Sequence, residues 1–234
     1  MKIVVLHGQM HRGSTYHLVH QVLDHLTGEG KEKTVQEFFM PRDAPAPCVG
    51  CYRCFLNGEE TCPHEAKVQP LVHAIREADL IVLDSPCYVG GMTGQLKTVL
   101  DHLAYLWMSH RPEQAMFNKV GLVVSTTAGV GAGKVTKALA SNLFFWGVPR
   151  IYKLPLVVAA MNWAMVKPAM KEKMARKAKR VAKRIDKQLG RAKPGFKTRM
   201  MFRIMRLNQK SNEWNPLDKA HWEDKGWLGR IRPW

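Results

Sequence analysis

Residues 78–97 read Ala-Asp-Leu-Ile-Val-Leu-Asp-Ser-Pro-Cys-Tyr-Val-Gly-Gly-Met-Thr-Gly-Gln-Leu-Lys. The uninterrupted apolar core of residues 79–84 is the pattern of a strand buried on both faces of a parallel sheet. Pro86 stiffens the exit from that strand, and Gly90 and Gly91 punctuate a loop over residues 85–93. A helix is predicted from about residue 94 to 108. Strand, glycine-bearing loop and helix in that order make one unit of an α/β fold.

The same alternation extends to both sides. Residues 2–7 predict a first strand, followed by a helix capped by Ser14 with Leu18, Val22 and Leu26 along its buried stripe. A second strand is expected near residues 34–39, a loop over 41–64 and a short helix over 68–77. Downstream come a fourth strand (119–125), a Gly-rich loop (126–133), a helix (134–146), a fifth strand within 150–159 and a helix over 168–189. Met170, Met174, Val181, Ile185 and Leu189 fall on one face of that last helix. Five such units predict a doubly wound sheet, in which ligands bind beyond the carboxyl ends of the strands at the topological switch point.

Charge divides the chain. The net charge is +17 over 234 residues. Residues 1–166 hold 15 basic and 13 acidic side chains, whereas residues 167–234 hold 21 and 6. The basic character therefore belongs to the last third. The tail, 191–234, combines it with Phe196, Phe202, Trp214, Trp222, Trp227 and Trp234. Disordered tails are poor in aromatics, so this one is expected to pack, either on its own domain or over a neighbouring subunit. The expected division is a domain over 1–190 and an extension over 191–234. Residues 3–6 are too short a run for a signal-peptide core. The apolar stretch 154–166 falls short of the roughly 18 residues of a spanning helix and contains Pro155 and Asn162. A cytoplasmic protein with no membrane segment is expected.

Three loops should emerge on one edge of the sheet. Gln9, His11, Arg12, Ser14 and Thr15 follow the first strand, where amides, hydroxyls and a cation form a phosphate cradle. Pro86, Cys87, Tyr88 and Val89 follow the third, and Thr126, Thr127, Ala128 and Gly129 follow the fourth. The last loop lacks the glycine and the Ser or Thr that a nucleoside-triphosphate loop requires at positions 128 and 135. Together with Asp101, these segments resemble the flavodoxin-like NAD(P)H-dependent FMN reductase family over residues 1–190, most strongly at 78–102. Two departures are Gln9, where the family often has Ser, and His11, where it often has Arg. The resemblance implies a five-stranded sheet in the order 2-1-3-4-5 and FMN at the strand ends. It places the phosphate on the first loop and the ring between the second and third. It also implies a homodimer or homotetramer completing the pocket.

Cys48, Cys51, Cys54 and Cys62 give C-x2-C-x2-C-x7-C. Two successive C-x2-C steps wrap three corners of a [4Fe-4S] cluster, and Asn57-Gly58 can turn the chain so that Cys62 supplies the fourth. A tetrathiolate zinc site and four free thiols are the competing readings. Cys87 is a small packing residue in the flavin-contact loop. His17 and His20 share a helix face without an evident third ligand. With the compact cysteine motif the chain resembles the iron-sulfur flavoprotein branch of the family. The implied function is electron transfer between NAD(P)H or a reduced carrier, FMN and a [4Fe-4S] cluster, with no side-chain acid or base required and a ferredoxin-like partner for the basic tail. The alternatives are a cluster-less NAD(P)H:FMN or quinone reductase and, from another class, a nucleic-acid-binding protein using residues 167–234.

Overall fold

A computed structural model of the chain describes residues 1–30 and 32–234. Five parallel strands form its sheet: β1 (Lys2–His7), β2 (Thr34–Phe39), β3 (Leu80–Asp84), β4 (Val120–Thr127) and β5 (Arg150–Val157), in the order β2-β1-β3-β4-β5. Every residue of β3 is buried, as its unbroken apolar run requires. The edge strands β2 and β5 are partly exposed. Pro155, which cannot donate to a ladder, lies on the edge strand β5.

Helices α1 (Ser14–Asp24), α2 (Arg53–Leu56), α3 (Glu65–Glu77), α4 (Gly94–His102) and α5 (Ala132–Phe145) precede α6 (Pro168–Asp186), α7 (Phe196–Lys210) and α8 (Pro216–Asp224). The period of two in the strands divides the core. Val4, Leu6, Ile81, Leu83 and Val123 pack with α3, α4 and α5. Ile3, Val5, Leu80, Val82, Leu122 and Val124 pack on the opposite face with Leu18 and Val22 of α1 and Met174, Val181 and Ile185 of α6.

The helix boundaries depart from expectation in several places, α5 starting two residues early and α6 ending three residues early among them. Ser14 opens α1 and does not cap it: Gly13 is the cap residue, with extended backbone and no side-chain hydrogen bond. Helix α3 begins three residues earlier than predicted, at Glu65. Helix α4 ends at His102, and a 3-10 turn over Ala104–Leu106 buries Tyr105 and Leu106 before Met108 enters a third apolar cluster.

That third cluster accounts for three of the tail's six aromatic side chains, while Phe196, Trp214 and Trp234 stay exposed. Trp222 and Trp227 are buried with Phe202 against Met108 and Phe117 of the body. The Trp222 indole N–H donates to His110 O at 2.7 Å. These rings are packed inside the chain's own fold and are not available to stack on bases. No helix among the described residues is long and apolar enough to cross a membrane.

Candidate functional site

The sheet order reverses direction between β1 and β3, the switch point at which doubly wound sheets bind ligands. A cavity of about 260 Å³ opens there. His11, Ser14 and Thr15 contribute from the first loop, Pro86, Cys87 and Tyr88 from the second, and Thr126, Thr127 and Ala128 from the end of β4. Thr15 Oγ1 and Thr126 Oγ1 lie 2.6 Å apart and tie the first strand exit to the fourth. Because Gly13 caps α1 without a side chain, helix-start amides stay available to an anion.

Four expected residues stand elsewhere. Gln9 lines a small neighbouring hollow with His11. Arg12 lies over the Tyr16 ring, 5.4 Å from its centre. Val89 is fully exposed at 108% of its reference area. Gly129 is spent on its own loop, its N–H donating to Thr127 Oγ1 at 3.3 Å. Val158, Ala160 and Met161, which follow β5, complete the wall. Sequence reading missed them because their segment carries no turn motif.

The second loop is shaped by its backbone. Tyr88 and Gly91 exchange two hydrogen bonds of 2.9 Å around Val89 (φ +50°) and Gly90 (φ +75°). Positive φ at a β-branched residue costs on the order of 1–3 kcal/mol, a form of strain that concentrates at ligand clamps. Tight packing fixes the bases of the loops: a Cβ on Gly8 would lie 2.8 Å from Asp84 O and from Thr93 Oγ1. Gly131 has φ +105°, and a Cβ there would stand 2.5 Å from Cys87 Sγ, so only glycine closes the third loop against the second.

The cysteine loop lines a second cavity. Cys48, Cys51, Cys54 and Cys62 are free thiols and all four line one cavity of about 270 Å³. The turn expected at Asn57-Gly58 is present: Gly58 has φ +102°, and the 3-10 turn Glu59–Thr61 returns the chain to Cys62. Burial, reinforced by Cys62, pushes the Cys54 thiol up to about 11. The Cys62 sulfur lies 3.7 Å from His102 Nδ1, and His102 Nε2 lies 2.9 Å from Ala46 O. Asp101 and His102 reach this cavity from the end of α4, which starts at the second loop of the first site. At 1.5 Å rise per residue its nine residues span about 13 Å.

The tail braces this loop. Arg111, buried, donates through Nη2 to Cys54 O and lies 3.3 Å from Glu59 Oε2. Its Nη1 meets the fully buried Asp218 Oδ1 of α8 at 2.6 Å. Asp218 Oδ2 also faces His110 Nδ1 at 2.7 Å and accepts from Asn215 Nδ2 at 3.0 Å. Sequence reading could not reveal this brace, because Arg111 and Asp218 are 107 positions apart.

A five-stranded parallel sheet with its cavity at the switch point and three loops converging on it defines a flavodoxin-like protein. Residues 1–163 match the family described as NADPH-dependent FMN reductase, and the chain belongs to that family. It is an FMN-dependent flavin oxidoreductase. An iron-sulfur flavoprotein of Methanocaldococcus jannaschii is 33% identical over 147 residues, which cover 62% of this chain and 72% of that protein. A quinone reductase of Escherichia coli K12 is 29% identical over 133 residues, covering 57% of this chain and 63% of the relative. The fold is shared with an FMN-dependent NADH-azoreductase of Bacillus anthracis solved with FMN, at 13% identity and a TM-score of 0.57 over 78% of this chain and 100% of that one.

Proposed function

We propose that this chain holds FMN in the switch-point cavity and a [4Fe-4S] cluster on Cys48, Cys51, Cys54 and Cys62, and passes electrons between NAD(P)H or a reduced carrier and a one-electron acceptor. The carrying observation is that all four cysteines of the compact motif line a single cavity in a flavin-reductase fold. When bound, FMN would accept one hydride, that is two electrons, and release them singly, while an iron-sulfur cluster carries one electron at a time.

The residues present suit both groups. His11, Ser14 and Thr15, with the uncapped start of α1, would hold the phosphate, with Gln9 and Arg12 at the margin of the same loop. Pro86, Cys87 and Tyr88 would meet the ring on one side and Thr126, Thr127 and Ala128 on the other, with Val89 and Gly129 outside the contact. Four thiols are the donor set that iron-sulfur clusters take. Cys54 would give up its proton on ligation, and Arg111 fixes the carbonyl of the same residue.

A second copy of the chain completing the pocket, in a homodimer or homotetramer, is supported by the apolar rim: Tyr88, Val89, Val130 and Met161 are all exposed. The basic tail suits an acidic, ferredoxin-like redox partner.

The test is anaerobic titration of the FMN-loaded protein with NADPH or NADH. Bleaching of the flavin bands followed by loss of a broad band near ~400 nm is expected, with Cys54→Ala keeping only the first change. Flavin bleaching alone in the wild-type chain would leave the cluster-less quinone-reductase reading. Failure to take up FMN would overturn the proposal.

A further inference from the structure

Outside both cavities, on the β2 side of the first loop, four chemistry-bearing side chains converge. His7 ends β1. Glu37 on β2 pairs with Val5 in the parallel register, which puts its side chain on the same face as that of His7. His20 reaches this face from α1, and Asp84 ends β3. The Nε2 atoms of His7 and His20 lie 2.7 and 2.9 Å from the same oxygen, Glu37 Oε1. All three ligand atoms lie within 4.8 Å of one another. His17, which shares the helix face, turns away and stacks on Trp163 at 4.1 Å. The third ligand that the sequence did not disclose is thus Glu37.

Behind His7 stands a carboxylate. Asp84 Oδ2 is 2.5 Å from His7 Nδ1, and neither atom has another partner. Phe39 stacks on the His7 ring at 4.5 Å and Tyr16 lies on the His20 ring at 4.0 Å, so both imidazoles are held in orientation. Among the described residues, the two carboxylates pair with histidines alone, with no lysine or arginine. Buried and half-buried negative charge of this kind needs a positive partner.

We propose that His7 Nε2, His20 Nε2 and Glu37 Oε1 form a binding site for a zinc-class divalent cation, with Asp84 orienting His7 from behind. A dication balances the two carboxylates. Two imidazoles and one carboxylate are a donor set that zinc takes, at about 2.0–2.2 Å per bond, with the fourth position left to water. A metal-bound histidine whose other nitrogen faces a carboxylate is the usual outer-shell arrangement at such sites, and it fixes the tautomer. The nitrogen–oxygen separations must widen by roughly half an ångström for tetrahedral coordination. Glu37 and His20 are each about one quarter exposed, at 26% and 28%, which leaves them room to do so and admits water. Occupancy would tie β1, β2 and α1 together directly beneath Gly8, where the first loop of the flavin cavity begins.

The four cysteines also attract zinc, so the test must separate the two sites. The full-length, FMN-loaded protein is treated with EDTA and titrated with zinc sulfate, in parallel with His20→Ala and Glu37→Gln. The wild-type chain should bind one zinc per chain more than either variant. Asp84→Asn should retain this zinc with affinity lowered about 10–100-fold. Crystals soaked in zinc should give an anomalous peak bonded to His7, His20 and Glu37, a readout that needs no variant to fold. Equal uptake by all chains, or anomalous density confined to the cysteines, would overturn the assignment and leave a metal-free hydrogen-bonded chain.

Discussion

Replacing Asp218 by Asn keeps the shape of the side chain and removes its charge from a site that is fully buried. Arg111, only 8% exposed, then retains Glu59 at 3.3 Å as its remaining carboxylate partner and loses the one at 2.6 Å. Breaking a buried pair from one side costs about 3–5 kcal/mol, since the other charge stays behind. Glu59 offsets part of this, so the lower end applies. For a chain of this size each kcal/mol shifts the melting temperature by about 2–4 °C, which gives a fall of roughly 6–12 °C. Calorimetry on wild-type and variant protein measures it. Because Arg111 also holds Cys54 O, iron retention after gel filtration should fall with it. A shift smaller than about 2 °C with unchanged iron would refute the reasoning that the tail braces the cysteine loop.

Three other perturbations address different links. Gly131→Ala introduces a side chain at φ +105° against Cys87 Sγ, and should weaken FMN binding by about 10-fold, read by flavin fluorescence, if strain of about 1.4 kcal/mol is relieved by moving the loop. Burial holds the His221 imidazole below its ordinary range, partly offset by its bond to Pro112 O. The unfolded chain therefore takes up a proton near pH 6.5 that the folded chain refuses, so stability is full above that pH and falls as pH drops towards the lowered value. The melting temperature should be lower at pH 5.5 than at 7.5, and His221→Gln should flatten that difference; an unchanged slope would exclude His221 as a source. Val89→Lys with Val130→Glu places charge on the apolar rim and should shift the chain to a smaller species in light scattering, whereas an unchanged mass would remove the rim from the interface.

What could be read from the sequence was local. The apolar run of residues 79–84 announced β3, and the alternation of strand and helix signals announced the doubly wound sheet, because burial on both faces leaves a composition that short windows display. The C-x2-C-x2-C-x7-C spacing likewise singled out four residues that line one cavity. Contacts between distant segments left no such trace. Nothing near Arg111 indicates Asp218, and nothing near His7 indicates Glu37 or Asp84. Ser14 looked like a cap because serine favours that position, yet Gly13 takes it. The wall formed by Val158, Ala160 and Met161 was invisible because its segment carries no turn motif.

In the proposed function one chain carries a flavin in the switch-point cavity and an iron-sulfur cluster on the cysteine loop. The most direct measurement is the FMN, iron and sulfide content of protein purified without oxygen, for the wild-type chain and Cys54→Ala. About one FMN and about four irons per wild-type chain are predicted, with the variant keeping its FMN and losing its iron. An iron-free wild-type chain that resists anaerobic reconstitution, or iron retained in full by Cys54→Ala, would contradict the account.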